Sequence, residues 1–313
     1  MVKQNINLYL ASPRGFCAGV DRAVKIVEQA IKKYGSPIYV RHEIVHNKDV
    51  VKSLESLGAI FVDEITDAPE NSTIIFSAHG VPKSVFVNAK KRKMLSIDAT
   101  CPLVTKVHNE TIKHFNSSRK ILLIGHKNHP EVIGTLGQLP KGSIDLIESI
   151  EDVENYENPK LNIAYVTQTT LSVDDTKDII NEIKSHFKNV LEPKKNDICY
   201  ATTNRQEAVK KIAKNCDYFL VIGASNSSNS LRLVEVAKNY GSKKAILVED
   251  VDSLNLNIFE NLNNIGITAS ASSPEVLVIR LLEKLKNNFD VKINESQYKH
   301  EDVYFKVPQQ LKN

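Results

Sequence analysis

Two imidazoles and a carboxylate are grouped in Gly125-His126-Lys127-Asn128-His129-Pro130-Glu131. The apolar run Ile121-Leu122-Leu123-Ile124 precedes them and predicts a buried parallel strand. Pro130 suits the first turn of a following helix. His129 and Glu131 are thereby placed between the carboxyl end of a strand and a helix N-terminus. Open α/β sheets bind ligands there, and unpaired backbone N–H groups there favour anions. A histidine in this place can also do no more than cap the helix, so the rest of the chain must decide its role.

Three cysteines share a similar placement. Cys17, Cys101 and Cys199 each end a short strand-like stretch and lead into a helical pattern, over 20–34, 103–115 and 205–214. Thiols at helix N-termini have depressed pKa values and are available as thiolates. Three thiolates from separate segments suit an iron–sulfur cluster or a zinc ion. The close Cys-x-x-Cys pairs of most zinc sites are absent, whereas a cluster tolerates dispersed ligands. Three ligands on a four-iron cluster would leave one iron open, a Lewis acid for a substrate oxygen. Cys216 precedes an apolar strand, lies off this pattern, and is expected to be a buried structural residue.

The elements that must position these groups form a threefold internal repeat. The cysteine stretches are one set. A second set of strands, at 38–40, 121–124 and 219–222, runs into His46, into His129 and Glu131, and into Ser227-Ser228-Asn229. A third set, at 73–76, 162–166 and 265–268, runs into His79, Thr169 and Ser272. A helical pattern follows each. The expected fold class is α/β, with three pseudo-equivalent small parallel-sheet domains around a central cluster site. The expected divisions are 1–98 (Cys17, His46, His79), 99–195 (Cys101, His129, Glu131, Thr169), 196–286 (Cys199, Ser227, Asn229, Ser272) and a tail at 287–313. Within that polar tail, 303–307 reads as a terminal strand or lid.

The polar loops carry His46, His79, His129, Thr169, Ser227, Ser228, Asn229 and Ser272, all neutral or cationic donors. Without a Walker lysine, such a set resembles a cage for phosphate oxygens. The serines at 227–230 also read as a helix N-cap, which uses the same helix end. Glu131 is the only acid in the central set and reads as a proton donor or relay, with Thr169 in reach. The 313 residues carry a formal charge of +4 without a basic, aromatic-laced block. Nucleic acid is therefore not an expected partner, and a small anionic substrate or an acidic protein partner fits better. No apolar run is long enough to span a membrane. Residues 7–11 lack the features of a signal peptide. With four dispersed cysteines, a cytoplasmic, reducing compartment is expected.

The ordered motifs complete the reading. They are Arg14-Gly15-Phe16-Cys17-Ala18-Gly19-Val20-Asp21-Arg22-Ala23, His42-Glu43-Ile44-Val45-His46-Asn47, Ser77-Ala78-His79-Gly80-Val81 and Asp98-Ala99-Thr100-Cys101-Pro102. Gln168-Thr169-Thr170-Leu171-Ser172, Ile198-Cys199-Tyr200-Ala201-Thr202-Thr203-Asn204-Arg205-Gln206 and Asn226-Ser227-Ser228-Asn229-Ser230 follow. With these motifs the chain resembles the 4-hydroxy-3-methylbut-2-enyl diphosphate reductases, to about Val307. That resemblance implies an oxidoreductase of the last step of the methylerythritol phosphate, or non-mevalonate, route to isoprenoids. Such an enzyme reductively dehydroxylates an allylic diphosphate to isopentenyl and dimethylallyl diphosphates with two electrons and two protons. It implies one 4Fe–4S cluster per chain on Cys17, Cys101 and Cys199, with the substrate hydroxyl on the open iron. It implies diphosphate contacts from His46, His79, His129, Ser227, Ser228, Asn229 and Ser272, and proton delivery by Glu131 with Thr169. Ferredoxin or flavodoxin is the implied electron donor. Ser270 departs from the glycine expected in the family. The rival readings are a cluster-bearing sensor without a substrate and a zinc-dependent hydrolase.

Overall fold

The computed structural model describes residues 3–158 and 160–312. Its strands are β1 (Asn5–Ser12), β2 (Ile38–Arg41), β3 (Ala59–Val62), β4 (Thr73–Phe76), β5 (Leu95–Asp98), β6 (Lys120–Ile124) and β7 (Ile144–Ile147). They continue with β8 (Asn162–Thr167), β9 (Asn189–Leu191), β10 (Tyr218–Ile222), β11 (Lys244–Val248), β12 (Asn264–Ala269) and β13 (Asp290–Gln297). The helices are α1 (Ala18–Tyr34), α2 (Lys48–Ser56), α3 (Lys83–Lys91), α4 (Pro102–Asn116) and α5 (Pro130–Leu136). Then come α6 (Ile150–Glu154), α7 (Val173–His186), α8 (Tyr200–Ala213), α9 (Ser228–Asn239) and α10 (Glu275–Asn288).

Three sheets result, and every strand pair in them is parallel. Their orders are β3-β2-β4-β5, β7-β6-β8-β9 and β11-β10-β12-β1-β13. The same order recurs: second strand, first strand, third strand, closing strand. The expected α/β class with three small parallel sheets is therefore what the chain adopts. Parallel pairing needs crossover helices, and it places the catalytically interesting loops at strand carboxyl ends.

Two compact units divide the chain. One comprises the chain up to Ala18, His46–Val50 and Tyr200–Tyr304, and holds the five-stranded sheet. The other comprises Gly19–Val45, Val51–Cys199 and the chain from Phe305, and holds both four-stranded sheets. Each sheet is apolar on both faces. In the first unit Ile6, Leu8 and Leu10 of β1 pack with Leu220, Ile265, Ile267, Leu277 and Leu281. In the second, Leu122, Ile124, Ile163 and Tyr165 pack with Ile179 and Ile183 of α7.

The sequence places β1 at the head of the first repeat, but it closes the five-stranded sheet between β12 and β13. Its residues are buried on both faces, with Ala11 opposite Leu8 and Leu10, so both of its edges need partners. Residues 196–199 form no strand. The Asn196 side chain accepts from the Ile198 N–H, and Asp197 accepts from the Thr167 N–H, so side chains replace a ladder. The terminal strand is β13, not 303–307, which has no regular structure. Among the described residues β13 is an edge strand paired only with β1, so its polar residues face solvent and hide the strand pattern.

Gly266 in β12 shows how tightly the sheet and helix layers meet. A Cβ there would lie 2.4 Å from the Phe219 ring and 2.8 Å from Cys216 Sγ. Cys216 is buried, donates to the Ile212 carbonyl, and burial pushes its thiol up to about 12. It is the structural cysteine expected. A Gly266→Ala substitution should destabilise the fold by about 1–3 kcal/mol through overpacking, read as a lowered Tm. An unchanged Tm would mean that the layer can open without cost.

Candidate functional site

Each candidate cysteine is fixed by the same backbone contact. The Cys17 N–H donates to the Ala271 carbonyl at 3.3 Å. The Cys101 N–H donates to the Ala78 carbonyl at 2.9 Å, and the Cys199 N–H to the Thr169 carbonyl at 3.0 Å. The acceptor is in every case the second residue past the third strand of the sheet: β12, β4 or β8. Helices α1, α4 and α8 start on the residue after each cysteine, so α8 begins five residues ahead of the pattern expected over 205–214, and α1 and α4 two and one residues ahead of theirs. None of these three cysteines is in a disulfide, and all three are half-buried. Among the described residues, no three His, Cys, Asp or Glu groups close around one point as a ready metal cage.

In the second unit, Glu131 enters the first turn of α5 and is 3 % exposed. Its Oε1 accepts from the Thr169 N–H at 2.6 Å and its Oε2 accepts from Thr169 Oγ1 at 3.0 Å. Burial pushes the Glu131 carboxyl up to about 7, against the two Thr169 hydrogen bonds, and the charge of Asp197 adds to the rise. A carboxyl poised near neutrality, with its oxygens held by fixed donors, can carry a proton and release it. His129 caps α5, its Nδ1 accepting from the Glu131 N–H at 3.2 Å. The capping role is therefore real, and it orients the ring. The His79 and His129 rings meet edge to face, with centroids 6.0 Å apart. Their approach depends on two glycines of the same region. A Cβ at Gly134 in α5 would sit 3.1 Å from the Gly80 backbone, and one at Gly137 would sit 2.4 Å from Pro82. Gln138 clips this contact by donating to the Val81 carbonyl.

In the first unit, the Ser227 hydroxyl caps α9 by accepting from the Ser230 N–H. Ser228 opens the helix and Asn229 follows it. Asn229 is 5 % exposed, and neither its amide nitrogen nor its amide oxygen has a hydrogen-bond partner. A buried amide with both donor and acceptor unmet is costly unless a polar ligand arrives. Ser272 donates to the His46 carbonyl at 2.9 Å and so fixes the loop that carries His46. Ser270, Ser272 and Ser273 hydroxyls lie 3.1 Å apart in two linked pairs. The departure at Ser270 thus adds one hydroxyl to the network that holds Ser272.

Within each unit the expected residues assemble at strand carboxyl ends: Glu131, Thr169, His79, His129, Cys101 and Cys199 in one, Cys17, His46, Ser227, Ser228, Asn229 and Ser272 in the other. Several neighbours escaped the sequence reading. Asp197 is buried, accepts from Lys106 Nζ at 2.8 Å, and burial holds its carboxyl above the usual range. Arg205 is fully buried. Gln168 accepts from the His126 N–H and donates to Thr170. Tyr200 accepts from the Ala18 N–H, next to Cys17, and burial raises its phenol. Arg205, Gln168 and Tyr200 lie inside the quoted motifs, so adjacency to the cysteines and Thr169 was the available signal.

The raised carboxyl of Glu131 has a consequence for stability. Folding lifts its pKa from 4.5 to about 7, so between these values the folded chain holds the extra proton. Stability from this group is greatest at low pH and is lost as pH rises through about 7. Urea unfolding of the parent and of Glu131→Gln should diverge across this window. The parent should lose on the order of 3 kcal/mol relative to the variant. A pH-independent difference would show that folding leaves the pKa of this carboxyl unchanged.

Comparison with known proteins gives the family of the chain. The pattern of the family described as LytB protein matches residues 8–286. The 4-hydroxy-3-methylbut-2-enyl diphosphate reductase of Hyphomonas neptunium is 54 % identical over 310 residues, covering 99 % of this chain and 98 % of that protein. The protein of the same name from Phenylobacterium zucineum is 53 % identical over 307 residues, covering 98 % of both. Among solved structures, the E-1-hydroxy-2-methyl-but-2-enyl-4-diphosphate reductase from Plasmodium falciparum superposes with a TM-score of 0.94 at 41 % identity. It covers 98 % of this chain and 97 % of its own. With matches that span essentially the whole chain, this protein belongs to the LytB protein family.

Proposed function

We propose that this chain is an oxidoreductase that reductively dehydroxylates (E)-4-hydroxy-3-methylbut-2-enyl diphosphate to isopentenyl and dimethylallyl diphosphates. This is the last step of the non-mevalonate isoprenoid route. The observation that carries the reading is Glu131: a buried acid, pushed up to about 7, with both oxygens held by Thr169. Relatives of matching length bear the name of that reductase.

The chain's own groups suit a resident 4Fe–4S cluster. Cys17, Cys101 and Cys199 stand outside any disulfide at helix starts, each with its backbone locked by one equivalent hydrogen bond. These three would hold it. When bound, the cluster supplies electrons and a Lewis-acidic iron for the substrate hydroxyl. His46, His79, His129, Ser227, Ser228, Asn229 and Ser272 bind the diphosphate, the amide nitrogen of Asn229 offering a buried donor to a phosphate oxygen. Their binding energy is remote from the reacting carbon and serves to position it. Glu131 holds a proton that leaves with the hydroxyl as water. The Thr169 N–H and hydroxyl keep the Glu131 oxygens in place and stabilise the carboxylate that remains. Two electrons and two protons balance the loss of water and the new C–H bond. A one-electron donor of the ferredoxin or flavodoxin type would supply the electrons. The proposed setting is the reducing cytoplasm, and among the described residues no helix is long and apolar enough to cross a membrane.

The test is anaerobic purification with iron and sulfide analysis, followed by reduction of the allylic diphosphate with an artificial electron donor. Iron and sulfide in similar amounts, with both isomeric products formed, is the expected outcome. Zinc in place of iron, or a protein that stays free of iron after anaerobic reconstitution, would overturn the reading. Loss of iron binding on replacing any one of Cys17, Cys101 and Cys199, but not Cys216, is expected alongside.

A further inference from the structure

The loops that precede the three cysteines are held by cations, and the cations follow a rule. Arg22 lies one turn into the helix after Cys17. Its Nη1 donates to the carbonyls of Ala99 and Thr100, the two residues before Cys101, at 3.2 and 3.0 Å. Lys106 lies one turn into the helix after Cys101. Its Nζ donates to the carbonyls of Lys195 and Asn196 and to Asp197, on the approach to Cys199. Arg205 lies in the helix after Cys199. Its guanidinium donates to the carbonyls of Gly15, at 3.0 and 2.7 Å, and Phe16, at 3.3 Å, the two residues before Cys17. The helix after each cysteine thus carries the cation that holds the loop before the next, and the third returns to the first.

The chain beyond β13 braces two of the three. Glu301 accepts from Arg205 Nη1 at 3.1 and 3.3 Å and from the Asn204 amide at 2.9 Å. The Lys306 carbonyl accepts from Arg22 Nε at 2.9 Å. The segment reaching Glu301 is itself tied down, with the Tyr298 N–H donating to Ser12 and Lys211 to Gln297. Arg205 is 1 % exposed in its side chain, and a buried guanidinium requires a counter-charge and a full set of acceptors. It finds the counter-charge in the tail, and its acceptors there, in the cysteine loop and at the Ala201 carbonyl of its own helix.

We propose that Arg22, Lys106 and Arg205 are positioning residues that act in a cycle. Each sets the order of the cysteine loop of the next repeat, Cys101, Cys199 and Cys17 respectively. The tail residue Glu301 acts with Arg205 to serve Cys17. Its bearing on cluster retention rests on the reading of these cysteines as cluster ligands, whereas the ordering of the loops does not. A carbonyl-directed cation suits this task, because it fixes backbone without competing for the thiolate. Tyr200 adds to the hold at Cys17 through the Ala18 N–H.

The test is alkylation of the iron-free protein with iodoacetamide, with each cysteine followed by peptide mapping. Lys106→Met should raise the alkylation rate of Cys199 roughly tenfold, and Arg22→Met that of Cys101, each leaving the other cysteines near parental rates. Glu301→Ala should raise Cys17 alone by a similar factor. If Glu301→Ala does not fold, Glu301→Gln, which keeps the volume and one acceptor, should give the same pattern more weakly. Buried Cys216 reports global opening. A matched increase at all four cysteines, or no increase at the cysteine assigned to each cation, would overturn the proposal. In the iron-loaded protein, the same variants should release iron to a chelator faster than the parent. A parent chain that never binds iron would refute the cluster reading while leaving the alkylation map standing.

Discussion

Every feature of the site depends on one backbone hydrogen bond made three times. A cysteine N–H, at the start of a helix, donates to the carbonyl two residues past a parallel strand. The bond fixes the sulfur-bearing residue relative to the polar loop that follows the same strand. Those loops carry His79, Thr169 and Ser272. Parallel sheets make the repetition possible, because all their strands present carboxyl ends on one edge.

The chemistry assigned to Glu131 comes from a competition that burial wins. Two hydrogen bonds from Thr169 favour the carboxylate, yet desolvation outweighs them and leaves the group close to neutrality. Without Thr169 the acid would lose its stabilised conjugate base. Without burial it would ionise in the ordinary carboxylate range and hold no proton at neutral pH. Cys199 is tied into the same small network, since its N–H donates to the carbonyl of Thr169. One residue thereby steadies the proton donor with its N–H and hydroxyl, and a cysteine with its carbonyl.

Much of this was legible in the sequence because the repeat multiplies weak signals. The strands at 73–76 and 59–62 and the helix at 83–91 lie where the apolar pattern places them, since their alternation and flanking glycine and proline residues are local properties. Pairing of β1 was not legible, because a strand buried on both faces carries no mark of which sheet it will close. β13 was hidden by edge-strand polarity. The approach to Cys199 imitates a strand in composition, but Asn196 and Asp197 turn their side chains onto the backbone instead. Burial of Arg205 and Asp197 could not be read from residue type, because charged residues are exposed by default and their burial depends on partners distant in the chain. Glu301 is the clearest case, 96 residues beyond Arg205 in an otherwise irregular stretch.

The most direct measurement is turnover of the allylic diphosphate by Glu131→Gln in anaerobic, iron-loaded protein, beside its iron content. The amide keeps the volume of the carboxyl and can still meet the Thr169 N–H, but it has no proton to give. Turnover should fall by about 10²-fold or more with iron content unchanged. Turnover at the parental rate with the same iron content would contradict the assignment of Glu131 as the proton donor.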